Sequence, residues 1–545
     1  MDFEELIVST AKEILGREVR LADNFFGLGG DSLMALRFEA SIEEKTGLEK
    51  VLQDIFMAPT FETLAEQIGS RIRDHALSSS SAAGANAQCD QSVPAASTGD
   101  GLTYRQRRLL SRHFQTRPDL TASSAGNVWA VFRVTGLLDF ARLDAALAGL
   151  TQRHDALRMC FAQVDGRPLR VAGSGSYPFL EQLNGDRHLP DSEALRSVVT
   201  RMMAPFALRA EPKIRACVAN ISARSAYLGF AADHLVCDGG SMRLLLRDLG
   251  LAYREATDGE ARFGESQAQS FVDWTEREQF TYSTEELQRR LDYWRRVLDP
   301  LEPYPELRLP GMKERAPGTR PAMAAIDRRL GHEFATSFKA CAASSGVTIY
   351  AACCAVLMLA VHAETRRSAI GFHSPVSVRQ SGWENSVGFF SNVLPIRVRV
   401  DPSRTPAEIS KSVMTRVAEA ARYAIPTPVL FENLQPEQYT SFNWRPRVYF
   451  DGGAEAEDAV LELENLKVRY VPTLSVADQE LPPRDGIMVN VYMERSGMRF
   501  TMVYESDLWP SRRAARFLGN YVKAVERSVP CWHSPSQHLL SEVFD

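Results

Sequence analysis

The chain has 545 residues, of which 45% are hydrophobic. This length and composition predict about three or four domain-sized units, each with a hydrophobic core. A net charge of −5, without any lysine- or arginine-rich run, argues against nucleic-acid binding. No stretch of about eighteen uncharged apolar residues predicts a membrane span, and the acidic N-terminus is unlike a signal peptide. Eight scattered cysteines fit neither a disulfide framework nor a metal site, which indicates a reducing compartment, the cytoplasm.

Residues 1–76 are predicted to form a small helical bundle. Apolar residues recur at helical spacing in two stretches, at Leu6, Ile7, Ala11, Ile14 and Leu15 and at Phe61, Leu64, Ile68 and Ile72. Between them, Gly29-Gly30-Asp31 precedes a helix whose first turn contains Ser32. The free N–H groups and positive dipole end of such a helix favour a phosphate, although capping by Asp31 or Ser32 is the commoner role.

The segment DNFFGLGGDSL, from Asp23 to Leu33, resembles the attachment motif of the peptidyl carrier proteins of nonribosomal peptide synthetases. The resemblance implies a four-helix carrier whose Ser32 hydroxyl holds 4′-phosphopantetheine, with the growing chain bound to its thiol as a thioester. It also implies a phosphopantetheinyl transferase as a partner.

Residues 77–101 are rich in Ser, Ala and Gly and lack apolar periodicity, so we predict a flexible linker. A coil of about 25 residues has a root-mean-square span of roughly 25–30 Å. Tethering of this kind raises the effective concentration of a cargo at the next domain to the order of millimolar.

From residue 102 onward, predicted strands and helices alternate. The strands are expected at 128–135, 213–221, 226–233, 369–373, 392–400, 447–450, 466–471, 486–494 and 498–504, the helices at 140–152, 332–344, 348–363, 406–423 and 510–528, and a hairpin near 165–166. Neither a dinucleotide-binding βαβ pattern nor a phosphate-binding glycine loop occurs. We therefore predict an α+β fold with an N-terminal lobe at 102–275 and a C-terminal lobe at 276–545.

The stretch ADHLVCDGGS, which ends at Ser241, lies between an apolar strand and an amphipathic helix. His234 is therefore predicted at the end of a strand, in a loop of the kind that often presents reactive side chains. The pair Gly239-Gly240 permits close approach of a ligand. The pattern His-x-x-x-Asp-Gly arises by chance in roughly one such sequence in twenty-five, and a merely structural histidine is an equal alternative for the stretch alone.

Six short motifs follow one another in the chain: LTYRQRRLL (Leu102 to Leu110), RHDALRMCF (Arg153 to Phe161), DHLVCDG, FVDW (Phe271 to Trp274), DYW (Asp292 to Trp294) and VGFFSNVLPIR (Val387 to Arg397). In this order and approximate spacing they resemble the condensation domain of nonribosomal peptide synthetases. The resemblance implies two chloramphenicol-acetyltransferase-like lobes in a V, with the active site in a tunnel between them and carriers docking at opposite ends.

The family signature is His-His-x-x-x-Asp-Gly, and its second, catalytic histidine corresponds to His234. The resemblance implies that this group either takes a proton from the acceptor amine or positions the amine and stabilises the charged tetrahedral intermediate. Gly239 is a candidate backbone N–H donor to the developing oxyanion. Asp238 is expected to be structural and to pair with an arginine of the second lobe, for which we nominate Arg379 in SPVSVRQ.

Asp233 departs from the family pattern, which usually has its first histidine at this position. Adjacent strand residues point to opposite faces, so Asp233 is not expected to orient the His234 imidazole unless the strand has already ended. We expect an aspartate here either to stabilise the loop from behind or to mark a subgroup with altered chemistry. The acceptor, and activity itself, therefore stay open at this stage.

The predicted function is amide formation in natural product biosynthesis: the donor carried on Ser32 is attacked by a small-molecule or carrier-bound amine. Other synthetase modules or carrier proteins are the expected partners. Alternatives are a terminal condensation that releases its product onto a soluble amine or alcohol, an epimerization domain, and an inactive condensation-like docking platform.

The alternatives differ in their sequence support. An epimerization-type Glu-Gly-His-Gly-Arg-Glu is lacking, and heterocyclization is disfavoured because its signature replaces the catalytic histidine by aspartate. The chain ends at Asp545 without an adenylation segment, which fits either a didomain cut from a larger synthase or a terminal unit. Ser32 is then expected to be loaded by another protein or domain.

Overall fold

The computed structural model describes residues 2–28, 30, 32–48, 51, 54–55, 58, 60–80, 99–116, 122–123, 126–172, 180–185, 187–209, 212–256, 263, 268–281, 284–298, 309–313, 322–379, 382–434, 461–471, 487–494 and 496–544. The helices within these residues are α1 (Phe3–Leu15), α2 (Ser32–Thr46), α3 (Phe61–Ser80), α4 (Tyr104–Thr116), α5 (Phe140–Arg153), α6 (Asp191–Met203), α7 (Gly239–Glu255), α8 (Phe271–Thr281), α9 (Thr284–Leu298), α10 (His332–Ser344), α11 (Ile349–Thr365), α12 (Pro406–Arg422), α13 (Thr427–Asn433), α14 (Ser511–Ser528) and α15 (Ser536–Phe544). The strands are β1 (Asn127–Thr135), β2 (Cys160–Val164), β3 (Arg167–Val171), β4 (Leu180–Gln182), β5 (Ile214–Ser222), β6 (Ser225–Asp233), β7 (Met323–Gly331), β8 (Ala369–Ser377), β9 (Ser391–Arg399), β10 (Lys467–Tyr470), β11 (Met488–Glu494) and β12 (Gly497–Glu505).

The N-terminal bundle contains α1, α2 and α3, packed around aromatic side chains. Helix α1 is capped by the Asp2 carboxylate, which accepts hydrogen bonds from the N–H groups of Glu4 and Glu5. Phe25 makes an edge-to-face contact with Phe38 at 5.6 Å in the bundle core. Between α2 and α3, residues 54 and 55 are also helical.

Helix α3 runs to Ser80 and so enters the predicted linker by four residues. The physical reason is that neither glycine nor proline interrupts the chain between Gly69 and Gly84, so the serines and alanines of this stretch continue the helix. Residues 81–98 of the predicted linker lie outside the described part of the chain.

Within the described residues, the sheet of the N-terminal lobe has five strands in the order β10-β1-β6-β5-β4. Strand β6 is covered on both faces, because Leu228 and Phe230 pack in the cluster that includes α5 and α7, while Tyr227 and Ala231 pack in the cluster that includes α6. The sequence of a strand that is buried on both faces is a continuous apolar run, and such a run predicted a strand at 226–233. Its register with β1 extends to the pair Asn127 and Asp233, where β6 ends.

In the described part of the C-terminal lobe, β11, β12 and β7 form one sheet in that order, β8 and β9 form an antiparallel pair, and helices pack around α11. The helix predicted at 348–363 is present as α11, and its residues 351–361 are completely or almost completely buried. Among the described helices, none is by itself long and apolar enough to cross a membrane; α10 and α11 together pass that test but meet at a bend of 99°.

The two lobes interleave along the sequence. Helix α8 packs in the N-terminal cluster through Phe271 and Trp274, and α9 packs in the C-terminal cluster through Leu291 and Trp294. Two later segments then return to the N-terminal lobe. Residues 387–390 join its apolar cluster, and β10 pairs with β1 at the edge of its sheet. Residues 447–450, predicted as a strand, lie outside the described residues.

Candidate active site

His234 lies in the short connection between β6 and α7, as predicted. Its backbone N–H donates to the carbonyl of Gly126 at 3.0 Å, which ties the loop to the residue before β1. The next residue is held from another side, because Gln106 Nε2 donates to the Leu235 carbonyl at 2.8 Å. The half-buried His234 thus lies in a loop whose first two residues are bonded to two other segments of the chain.

The imidazole of His234 has a defined tautomer. Its Nδ1 lies 2.7 Å from the carbonyl oxygen of Cys237, and a carbonyl only accepts hydrogen bonds, so Nδ1 carries the proton. In the neutral ring the lone pair is then on Nε2. The ring also packs against Phe389, with centroids 4.9 Å apart and planes inclined by 56°. These two contacts fix the direction in which Nε2 points.

Phe389 joins three elements around the imidazole. The Arg105 guanidinium of α4 lies 4.7 Å from the centre of its ring, and Arg105 Nη1 donates to Asn392 Oδ1 at 3.2 Å. Asn392 is fully buried in β9, and its Oδ1 also accepts from the N–H of Thr427 at 3.1 Å. Arg105, Phe389 and Asn392 all lie within the sequence motifs, but the sequence alone predicted no role for them.

Asp238 and Arg379 lie beside each other, as the sequence hypothesis required. Asp238 caps α7: its Oδ1 accepts from the Ser241 N–H at 2.8 Å, and its Oδ2 accepts from the Phe390 N–H at 2.9 Å. Arg379 Nη2 lies 3.8 Å from Asp238 Oδ1, at the long end of the ion-pair range. Both side chains are almost completely buried, and burial lowers the pKa of Arg379.

Ser241, which the sequence did not single out, is the closer partner of Arg379. Its Oγ accepts from Arg379 Nη2 at 2.9 Å and donates to the Gly388 carbonyl at 2.7 Å. Arg379 Nη2 also donates to the Ser386 carbonyl at 3.0 Å, and its guanidinium lies 4.2 Å from the centre of the Phe390 ring. The start of α7 and the segment preceding β9 are therefore bonded together through Ser241 and Arg379.

The two glycines after Asp238 have different surroundings. A Cβ at Gly239 would meet no atom within 4 Å, whereas a Cβ at Gly240 would lie 3.1 Å from Arg379 Nη1. A side chain at 240 would therefore press against the Arg379 guanidinium. Within the described part of the chain, the N–H of Gly239, the exposed first residue of α7, makes no hydrogen bond.

Asp233 is fully buried and is directed to the loop backbone. Its Oδ1 accepts from Ser123 Oγ at 3.1 Å and from the Leu235 N–H at 3.0 Å, while Oδ2 has no hydrogen-bond partner in the described structure. Burial raises the pKa of Asp233 to about 6, opposed by the Leu235 N–H and by the nearby Lys213 ammonium. None of its hydrogen bonds reaches the His234 imidazole.

The raised pKa of Asp233 predicts a pH-dependent stability. The unfolded carboxyl titrates at 3.8 and the folded one at about 6, so between these values the folded protein retains a proton that the unfolded chain has lost. The free energy of unfolding therefore falls as the pH rises through this window. Asp233→Asn keeps the accepting oxygen but has no carboxyl to titrate. Across this pH window we therefore expect its free energy of unfolding to rise by roughly 2–3 kcal/mol relative to that of wild type. Thermal melting of both proteins against pH measures this shift.

Glu278 supplies the matched control for that measurement. Its Oε2 accepts from the Tyr104 N–H at 2.9 Å, and burial raises its pKa from 4.5 to about 7. The contribution of Glu278 to the pH dependence of the free energy of unfolding should therefore disappear between pH 4.5 and 7 in Glu278→Gln. The contribution of Asp233 should disappear between pH 3.8 and 6 in Asp233→Asn. If the melting temperatures of Asp233→Asn and wild type change in parallel from pH 3.8 to 6, the raised pKa of Asp233 is contradicted.

Ser32 is the first residue of α2. The loop before it is tightly packed, because the Gly30 N–H donates to the Phe25 carbonyl at 3.0 Å and a Cβ at Gly30 would clash with the Phe25 ring. Glycine at 30 thus allows the chain to enter α2 directly at Ser32. A helix N-terminus favours a phosphate ester, so this position fits a phosphopantetheine arm. Asp31, the alternative cap, lies outside the described residues.

Two family models match the sequence. The model described as Condensation domain matches residues 102–539, and the one described as Phosphopantetheine attachment site matches residues 5–68. The chain is 29% identical over 530 residues to phosphinothricin tripeptide synthetase PhsB of Streptomyces viridochromogenes, covering 94% of this chain and 42% of that protein. It is 24% identical over 544 residues to gramicidin S synthase 2 of Aneurinibacillus migulanus, covering 97% of this chain and 11% of that protein. The chain thus spans less than half of the length of each relative.

A solved structure shares the fold of the larger part of the chain. It is the first condensation domain of the calcium-dependent antibiotic synthetase in complex with a substrate analogue. The superposition has a TM-score of 0.64 at 18% identity and covers 80% of this chain and 97% of that chain.

Proposed function

The chain belongs to the condensation-domain family and begins with a phosphopantetheine-attachment domain, and from this premise we propose that it joins a donor carried on Ser32 to an acceptor amine. The α+β fold with a helical carrier domain in front of it, predicted from the sequence, is confirmed. One observation carries the proposal: the Nδ1–H of His234 is bound to the Cys237 carbonyl, so that Nε2 is the basic atom of the ring.

The proposed chemistry uses groups of this chain at defined atoms. His234 Nε2 accepts a proton from the amine as it attacks, or holds the amine by the same contact. The Gly239 N–H, at the positive end of α7, donates to the oxyanion that develops on the attacked carbonyl. When bound to Ser32, the phosphopantetheine arm would supply the thiol that carries the acyl donor as a thioester. The C–S bond of that thioester breaks as the C–N bond of the amide forms, and the proton lost by the amine goes to the leaving sulfur.

The surrounding groups are proposed to position these atoms. Asp238, Arg379 and Ser241 hold the start of α7 against residues 386–390, and so fix Gly239 relative to Phe389 and the imidazole. Asp233 is proposed to hold the His234 loop from behind, through the Leu235 N–H and Ser123. This role agrees with the sequence expectation that Asp233 does not orient the His234 imidazole and stabilises the loop from behind.

The proposed partners follow from the two domains. A phosphopantetheinyl transferase modifies Ser32, and a separate protein or domain loads the donor. Other synthetase modules or carrier proteins supply the acceptor, unless it is a small soluble amine. The described cysteines are all free, in agreement with a cytoplasmic location.

The experiment loads the holo protein with candidate acyl groups and offers amines, alcohols and aminoacyl carriers in turn. Intact-protein mass spectrometry follows loss of the acyl mass from the protein, and the released product is identified separately. We expect transfer to at least one amine, and no acyl mass on Ser32→Ala. Transfer to alcohols alone, or to no acceptor, contradicts the proposed amide formation.

A further inference from the structure

Arg105 of α4 brings a positive charge close to the candidate active site. Its guanidinium carbon lies 4.7 Å from the centre of the Phe389 ring, and the His234 imidazole packs on the same ring with centroids 4.9 Å apart. The guanidinium and the imidazole therefore lie within about 10 Å of each other, a range over which charges interact in a partly buried site. The half-buried Arg105 is thus close enough to act on a molecule held at His234.

The side chain of Arg105 is anchored by a well-oriented amide. Arg105 Nη1 donates to Asn392 Oδ1 at 3.2 Å, and this buried oxygen also accepts from the Thr427 N–H at 3.1 Å. Asn392 Nδ2 donates to the Ile425 carbonyl at 2.7 Å, which fixes the orientation of the amide. Arg105 therefore joins α4 of the N-terminal lobe to β9 of the C-terminal lobe, at a defined position beside the active site.

The chemistry of Arg105 is that of a carboxylate receptor. The ring and the amide that hold it are uncharged. The Glu278 carboxyl of α8 is a nearby acid, but burial raises its pKa to about 7 against the opposing charge of Arg105, so it is only partly ionised at neutral pH. A guanidinium carries five N–H groups in a planar fork, and it can bind a carboxylate while it keeps the bond to Asn392.

The distance between Arg105 and His234 matches the size of an amino acid. One hydrogen bond of about 3 Å joins the acceptor amine to His234 Nε2, and another of about 3 Å joins a carboxylate oxygen to the guanidinium. Within the separation of the two side chains, at most a few ångströms are left between the amine and the carboxylate. One or two carbon atoms span this gap. The amine and the carboxylate can therefore belong to one small molecule.

We propose that Arg105 binds the free carboxylate of the acceptor, and that the acceptor of this chain is a soluble α- or β-amino acid. This inference rests on the proposed function, because it names the substrate class of the same site. In an aminoacyl carrier the corresponding carboxyl carbon is an uncharged thioester and offers Arg105 no anion. Arg105 thus favours the soluble acid over the carrier-bound amine.

The test compares each acid with its own carboxamide. The holo protein is loaded with an acyl donor, and kcat/KM is measured for the common α-amino acids, for β-alanine and for the matching amides. Arg105→Gln should lower kcat/KM for the preferred acid by about 10–100-fold, the effect of one charge-assisted hydrogen bond, and for its amide by less than about threefold. Arg105→Lys should retain part of the preference, because an ammonium keeps the charge without the planar fork.

The matched control is Arg108→Gln, one turn further along α4, where an exposed guanidinium lies 6.0 Å from the centre of the Phe431 ring. Its preference for acid over amide should equal that of wild type. If Arg105 only braces the two lobes, Arg105→Gln lowers transfer to the acid and to the amide by the same factor. That outcome overturns the proposal.

Binding separates this inference from the proposed function. Saturation-transfer NMR detects the same acids and amides on the protein without a donor, and so does not depend on transfer. If wild type transfers to no acceptor, the proposed function fails, while binding of an acid that Arg105→Gln abolishes still supports the carboxylate site. Equal binding by wild type and Arg105→Gln, or no binding, overturns that site. Transfer to aminoacyl carriers but to no free acid also overturns it and leaves the proposed function standing.

Discussion

Replacing His234 by alanine is expected to lower the rate of transfer from Ser32 to an amine by about 10²–10⁴-fold, the usual contribution of a positioned acid or base. The variant loses the basic Nε2 that the Nδ1–H bond to the Cys237 carbonyl defines. It does not touch the carrier, so acylation of Ser32 should proceed as in wild type. Single-turnover intact-protein mass spectrometry, which follows the acyl mass over time, measures both steps in one sample.

The matched control is His188→Ala, which removes an exposed histidine of the same lobe. Its transfer rate should equal that of wild type. A His234→Ala protein with an unchanged rate contradicts the assigned role of His234 and favours a docking platform that performs no chemistry. A large loss together with an unchanged melting temperature supports a role in the reaction and separates it from damage to the fold.

The position of His234 could be predicted because local sequence determines it. Strand β6 is buried on both faces and α7 is amphipathic, so the apolar run and the helical spacing locate the loop between them. Helix α6 was not predicted, although Ala194, Val198, Val199 and Met202 recur at helical spacing and supply the signal. Strand β7 was also missed, because its charged residues hide the strand pattern.

Two charged residues of β7 bond to residues far away in the sequence. Asp327 Oδ1 accepts from Thr501 Oγ1, and Arg329 Nη1 pairs with Glu494 Oε2 at 2.9 Å. Contacts in the candidate active site also join residues that are far apart in the sequence. Ser241 bonds Gly388 across 147 positions and Arg105 bonds Asn392 across 287 positions, and no local sequence pattern predicts such contacts. The pairing of Asp238 with Arg379 was reached only through family resemblance.

Removing Arg379 is expected to destabilise the start of α7 by about 3–5 kcal/mol, because Arg379→Ala leaves the buried Asp238 carboxylate without its cation. Ser241 and the Ser386 carbonyl lose the Nη2 donor in the same step. Hydrogen exchange at the Ser241 and Phe390 amides, both bound to Asp238, reports this locally and should accelerate by about 10²–10³-fold. Arg379→Lys should restore little, because an ammonium does not reproduce a planar guanidinium that packs on Phe390.

The double variant Asp238→Ala/Arg379→Ala distinguishes a coupled pair from two independent contacts. With both charges removed, no unpaired buried carboxylate is left, so the cost should be clearly smaller than the sum of the single variants. Arg289→Ala is the matched control, since Arg289 pairs with Glu286 on the surface and its loss should cost at most about 1 kcal/mol. Strictly additive effects, or an Arg379→Ala protein with wild-type exchange and transfer, would show that Arg379 is not the partner of Asp238.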